Sequence, residues 1–346
     1  MLTGDLDRLL AAEISALPPP AVPTTGTWQP APPDSAPAPG TYATSVAFRL
    51  AGRPAKAQGI ARTLAAALRL ADWVCSATVT GGYVTVTVTP DALARLAVRI
   101  TTAGPACARS TALADSAFSA PPDPDLATAP DWADARRRLA AHLTGRLAEA
   151  AGAFTFPTLH AERRPVPGPG PDGAKGPVAD AIEFAGASAI RYALARMPPG
   201  TTARVDPGHA AQRRLDVPAY AVRYAHAHAT STLRQAADFG LSLGEAAEFD
   251  PRLLAHPSEQ VLLDELSWLP ERVAGAARRA RPDTFARYLE RLAGAYLDCQ
   301  EQCPAVWPGI GTGGPQVVAR LWLAAASATA LRAGLDLLGV DAPDRL

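Results

Sequence analysis

Lysine is almost absent: among 33 basic side chains only Lys56 and Lys175 are lysine, and the rest are arginine. With the heavy use of alanine, that bias reads as codon usage before it reads as function. The 33 acidic side chains balance the basic ones, which excludes a polycation that holds nucleic acid by charge alone. Four cysteines (Cys75, Cys107, Cys299 and Cys303) are too few for a disulfide scaffold in a chain of 346 residues. Cys299 and Cys303 stand four apart on an expected helix, but no second ligand pair accompanies them, so they read as free thiols and no metal is expected. No uninterrupted apolar run reaches the roughly 18 residues a membrane span needs, so no membrane association is expected. The opening residues MLTGDLDRLL carry acids early and lack the apolar core of a secretory signal, so a cytoplasmic location is the expectation.

Several catalytic signatures are also missing. The sequence has no G-x-S-x-G, no H-E-x-x-H, no Walker loop and no G-x-G-x-x-G after a strand. The run PGPGPDGAKGP at 167–177 contains Lys175, but no strand precedes it and its prolines remove the donors a phosphate would need. His226 and His228 are two apart, so on a helix they point to different faces and cannot share a metal. His142, His160, His209 and His256 are scattered. No cofactor is expected.

What is present is a foldable chain of several blocks. A hydrophobic share of 48% with 19% charged residues excludes wholesale disorder. A helix is expected over 5–16, followed by an extended Pro/Ala/Thr/Ser loop over 18–39. Residues 42–50 read as helical, and 54–71 as an amphipathic helix with Ile60, Leu64 and Leu68 in phase. Two strands, 73–79 and 83–89, flank Gly81-Gly82 as a hairpin, and Val84, Val86 and Val88 alternate with threonines on the second. A helix over 90–100 completes an α+β domain at residues 1–102. Residues 103–181 form a proline-rich linker with one helix at 132–151 and a second Pro/Gly-rich stretch at 165–177. Residues 182–346 read as an all-α bundle with helices at 179–196, 217–239, 257–280, 283–300 and 315–338, the last stopped by Gly339. The fold class is therefore α+β, mostly α overall, with a small N-terminal α/β domain and a C-terminal helical bundle.

Within that bundle DVPAYAVRYAHAHATSTLRQA (216–236) resembles the N-P-x-Y-Y-x-Q-Y-A-H-A-R helix that opens the DALR-type anticodon-binding domain of arginyl-tRNA synthetases. HPSEQVLLDELSWLPERV (256–273), RYLERLAGAYLDCQEQCP (287–304) and ALRAGLDLLGVDAPDRL (330–346) are similar to the next elements of that domain, in order and spacing. EFAGASAIRYALAR (183–196) resembles the segment joining the family's catalytic core to the bundle. GTYATSVAFRLA (40–51) and VTGGYVTVTV (79–88) resemble the family's additional N-terminal domain, with Thr41, Ser45, Tyr83 and Thr85 in place of its Asp, Asn, Phe and second Asn. Between the two blocks the family carries a nucleotide-binding catalytic domain with H-x-G-H and K-M-S-K-type motifs. Here only the linker stands there, and both motifs are absent.

The resemblance implies a tRNA-binding relative of arginyl-tRNA synthetase that has lost aminoacylation. It would grip the tRNA elbow through Tyr42, Ser45, Arg49 and Tyr83, and the anticodon loop through Tyr220, Arg223, Tyr224 and His228. Tyr220 and Tyr224 are four apart beside Arg223, the combination that stacking on unpaired bases requires. Arg234, Arg332 and Arg345 are candidates for phosphate contact. The expected partner is tRNA, with an arginine isoacceptor implied by the family. Two other readings stand beside this one: a protein-interaction module docking on a true aminoacyl-tRNA synthetase or a metabolic enzyme, and, disfavoured, a working arginine–tRNA ligase.

Overall fold

The computed structural model describes residues 2–15, 28–30, 38–51, 54–157, 176–306 and 314–346. The expected glycine-rich linker at 165–177, with Lys175, lies almost wholly outside the described residues. So does the proline-rich loop at 18–39 apart from 28–30 and 38–39. The described chain is mostly helical, with a small N-terminal sheet and a C-terminal helical bundle.

The N-terminal block runs α1 (Leu2–Ser15), β1 (Trp28–Pro30), β2 (Thr41–Thr44), α2 (Val46–Ala51), α3 (Pro54–Leu68), β3 (Val74–Thr80), β4 (Tyr83–Val88), α4 (Pro90–Ala94) and α5 (Leu96–Ala103). Its sheet is antiparallel throughout, in the order β1-β2-β4-β3. The alternation on β4 works as its period of two requires, with Val84, Val86 and Val88 buried and the threonines between them on the other face. Gly81 and Gly82 make the hairpin turn at φ 56° and 93°. A Cβ on Gly82 would fall 2.8 Å from the Phe48 ring, so no other residue fits there. Leu6, Leu10 and Ile14 of α1, with Leu64 and Leu68 of α3, supply apolar faces to the same core.

Three expectations about this block need correction. Residues 42–50 are not one helix: Thr41–Thr44 is a strand paired with β4, Tyr42 opposite Val86 and Thr44 opposite Val84, and α2 begins only at Val46. Pairing with a buried β4 overrides the weak local preference. Trp28–Pro30, inside the expected loop, is a strand that pairs with β2. The helix expected at 90–100 is two short helices, α4 and α5, that meet at Arg95.

The chain continues through β5 (Ala117–Ser119), α6 (Trp132–Ala150), β6 (Phe154–Phe156), α7 (Pro177–Ala185), α8 (Ala187–Ala195) and α9 (Pro207–Ala210). β5 and β6 pair in parallel across α6, a single β-α-β unit of three-residue strands. Asp131 caps α6 by accepting from the Asp134 amide at 2.8 Å. The helix expected at 179–196 is broken into α7 and α8 by Gly186, whose φ of 87° no helical residue adopts.

The remaining helices are α10 (Pro218–Asp238), α11 (Pro257–Ser267), α12 (Leu269–Arg278), α13 (Pro282–Gln302) and α14 (Pro315–Leu338). The single helix expected at 257–280 is split at Trp268 into α11 and α12. Gly339, at φ 66°, ends α14: its amide donates to the Asp336 carbonyl at 2.9 Å and that of Val340 to Leu335 at 3.0 Å. α14 is long and apolar enough to cross a membrane by length and composition alone. However, 78% of its apolar window is buried in the fold, as in the core helix of a globular domain.

The described residues divide into two compact units. One comprises Met1–Ala103, Thr232–Glu271 and Asp298–Ala326, and so joins the N-terminal sheet to α11. There the Tyr42 hydroxyl donates to Ser267 Oγ at 2.8 Å, its ring centroid lies 5.0 Å from that of Trp268, and the Gly40 amide donates to Asp264 at 2.8 Å. The other unit comprises Gly104–Ser231, Arg272–Leu297 and Ser327–Leu346. In it Arg191 of α8 donates to the Leu338 carbonyl at 2.7 Å and to Asp123 at 2.8 Å.

Candidate nucleic-acid interface

α10 carries the densest set of expected contact residues. Pro218 stands at its first position, where a missing N–H costs nothing. Residues four apart then lie over one another along one face. Tyr220 and Tyr224 are stacked at 5.8 Å between centroids and 25° between planes. His228 continues the column at 6.0 Å from Tyr224, and Tyr296 of α13 closes it, 5.8 Å from His228 and edge-on. The His228 Nδ1 and the Tyr296 hydroxyl are 3.0 Å apart, within hydrogen-bond distance. Tyr296 is buried, whereas Tyr220, Tyr224 and His228 are half-exposed. The result is a column of aromatic faces anchored at one end and open to solvent along its side.

The opposite flank of α10 is held by the chain terminus. Arg223 donates from Nε to the Asp341 carbonyl at 3.3 Å. His226 lies 3.0 Å from the Pro343 carbonyl, which can only accept, so its Nδ1 carries the proton. Ser188 of α8 donates to the Asp341 carboxylate at 2.7 Å, and Arg332 pairs with Asp344. Arg223 and Arg332, expected as RNA contacts, are thus engaged by the tail that follows α14. Burial lowers the pKa of the Arg223 guanidinium and of both imidazoles; at His226 the Pro343 carbonyl opposes that shift.

The remaining expected residues are more scattered. Tyr42 is wholly buried between Ser267 and Trp268, and burial pushes its phenol well above the ordinary value, so it is a core residue that offers no surface to a ligand. Ser45 is half-buried between β2 and α2, its carbonyl accepting from the Phe48 amide at 3.0 Å. Arg49 is exposed on α2. Tyr83 is 36% exposed, edge-on to Phe48 at 5.2 Å. Arg234 is half-buried on α10 and Arg345 is exposed in the tail. The structure brings together Tyr220, Tyr224 and His228, with Arg223 beside them. It also adds Tyr296, Arg204 and Arg287, which sequence reasoning did not single out. Arg287 and Arg291, four apart around Tyr288 in RYLER, were the available signal.

Cys299 and Cys303 are free and buried, and burial pushes the Cys299 thiol up to about 12. Among the described residues no three His, Cys, Asp or Glu side chains converge as a metal site.

The two α10 histidines set a pH dependence. Both fold with pKa values below the ordinary 6.5, so between the two values the unfolded chain takes up protons that the folded chain resists. Their contribution to stability is complete above about 6.5 and is lost as pH falls through the lowered folded values. Thermal unfolding followed from pH 7.5 to 5.0 is expected to show a shallower fall in midpoint for the double variant His226→Asn, His228→Asn than for the native chain. Equal slopes would contradict this.

Residues 222–346, which hold Tyr224, His228 and Tyr296, match the family model of the DALR anticodon binding domain. The arginine–tRNA ligase of Micrococcus luteus is 40% identical over 174 residues, 49% of this chain and 31% of that protein. The arginine–tRNA ligase of Frankia alni is 42% identical over 131 residues, 38% of this chain and 24% of that protein. The chain thus spans less than a third of the length of these relatives. The solved arginyl-tRNA synthetase of Thermus thermophilus superposes with a TM-score of 0.69 at 15% identity, covering 100% of both chains, a likeness of fold. Residues 222–346 thus match the DALR anticodon binding domain, and the C-terminal half of the chain is similar in sequence to part of the arginine–tRNA ligases.

Proposed function

We propose that this chain binds tRNA, an arginine isoacceptor in the first instance, through the α10 aromatic column, and that it does not aminoacylate. The observation that carries the binding reading is the column itself: three half-exposed rings four residues apart, closed by Tyr296, mostly inside the segment matched to an anticodon binding domain. Every base has a π face, and stacking on an aromatic side chain is worth about 1–3 kcal/mol per base. Balanced charge means that stacking, rather than counterion release, supplies most of the affinity. The N-terminal block contributes Arg49 of α2 and Tyr83 of β4 as further contacts in this reading.

The non-catalytic part rests on what stands between the two blocks. H-x-G-H and K-M-S-K-type motifs are absent from the sequence. The described residues 104–157 supply one β-α-β unit with two three-residue strands. A dinucleotide-binding sheet of the doubly wound class uses about six parallel strands, with phosphates on a glycine-rich turn.

Gel shift of total tRNA at low salt is expected to give a saturable complex. The double variant Tyr220→Ala, Tyr224→Ala is expected to weaken it by about tenfold to several hundredfold at unchanged helix content. Unchanged affinity in that variant would contradict the reading. In the same preparation, arginine-dependent exchange of pyrophosphate into ATP is expected to be absent, and clear exchange would overturn the non-catalytic part.

A further inference from the structure

A cavity of about 230 Å3 opens at the start of α10, between that helix, α8, α9 and α13. It is smaller than the roughly 300–1,000 Å3 of sites for drug-sized ligands, and so suits one ring system rather than several. Its walls are apolar, formed by Tyr192, Met197, Val205 and Pro218. Tyr192 itself is wholly buried, its hydroxyl donating to the Ala286 carbonyl at 2.9 Å, so it backs the cavity and leaves the contact surface to half-buried Met197 and Pro218. Three guanidiniums stand at the mouth, those of Arg196, Arg204 and Arg287.

Those three differ in what they already hold. Arg196 donates to Glu290 at 2.6 Å and is neutralised there. Arg204 and Arg287 are exposed and make no hydrogen bond or ion pair among the described residues. Asp206, also at the mouth, spends one oxygen on the amides of Gly208 and His209, at 2.9 and 3.3 Å. Its other oxygen remains to accept from an amine or a hydroxyl. The positive charge beside the slot is therefore unspent, and two guanidinium forks suit a phosphate better than any neutral group.

The cavity also continues the aromatic column. Arg287 of α13 shares its wall with Pro218 of α10, and Tyr296 of α13 meets His228 of α10. The two pairs are nine or ten residues apart along each helix, about 14 Å, so α10 and α13 run side by side in one direction. The slot lies at the Tyr220 end of the column.

We infer that this cavity holds one nucleoside monophosphate unit, its base against Met197 and Pro218 and its phosphate on Arg204 and Arg287. Asp206 accepts from an exocyclic amine or a ribose hydroxyl. The same chemistry comes from two sources, a free mononucleotide or a nucleotide turned out of a bound RNA, and the inference rests on the tRNA reading for the second source only.

Met197 gives a reporter inside the slot, because the chain has only two methionines, Met1 and Met197. Protein labelled with 13C-methyl methionine, with Met197 assigned through Met197→Leu, is titrated with AMP, GMP, CMP and UMP, with inorganic phosphate as control, and separately with total tRNA. A saturable shift of the Met197 methyl is expected with at least one monophosphate, marking the free source, or with tRNA, marking the RNA source. The double variant Arg204→Ala, Arg287→Ala is expected to weaken that binding by about tenfold or more. If Met197 is unmoved by all four monophosphates and by tRNA while gel shift still retards tRNA, the cavity assignment falls and the tRNA reading survives. If tRNA is not retarded but a monophosphate shifts Met197, the tRNA reading falls and the cavity assignment stands. A shift that inorganic phosphate reproduces, or one that persists undiminished in the alanine double variant, overturns the assignment.

Discussion

Arg191 makes the interaction on which the end of α14 and the tail beyond it depend. Its guanidinium is almost fully buried, bonded to Asp123 and to the last carbonyl of α14. A side chain at Gly339 would overlap it, since a Cβ there would lie 2.6 Å from Arg191 Nε. The arginine and the glycine therefore fix together where α14 ends and in which direction the tail leaves. The tail then supplies the carbonyls that hold Arg223 and His226, and with them one flank of α10. Asp123 is 56% exposed, so solvent screens its pair with Arg191, and the Leu338 carbonyl is the partner that holds the buried guanidinium in place. With one flank of α10 held in this way, Tyr220 and Tyr224 are left for the solvent side.

Under the proposed function, that arrangement reconciles RNA binding with a chain of no net charge. Long-range attraction is weak when 33 bases face 33 acids, and several arginines that sequence alone would offer to phosphate are spent inside the fold. Arg223 and Arg332 hold the tail, and Arg196 holds Glu290. In that proposal recognition falls to ring faces and to the few guanidiniums left unpaired. Such binding is slower to form than electrostatically steered association and less sensitive to salt.

The sequence carried much of this in local form. The valine–threonine alternation of β4, the Gly81-Gly82 turn, the length of α10 and the stop at Gly339 each depend on a few neighbouring residues, and each folds as its pattern implies. Tyr42 was illegible because its environment is made by Ser267 and Trp268, more than two hundred residues away, and a tyrosine destined for the core looks like one destined for a ligand. The breaks at Gly186 and Trp268 were hidden by continuous helical periodicity on both sides. In the candidate site, the four-residue spacing of Tyr220 and Tyr224 was visible. The closing role of Tyr296 and the shared cavity lined by Arg204 and Arg287 needed the third dimension.

The central proposal places RNA on the α10 column. Photo-crosslinking of the chain to tRNA carrying 4-thiouridine, followed by mass spectrometry of the crosslinked peptides, tests it most directly. Crosslinks on Tyr220, Tyr224 or His228, lost when unlabelled tRNA competes, are the predicted result. Saturable binding with crosslinks confined to other segments would contradict it.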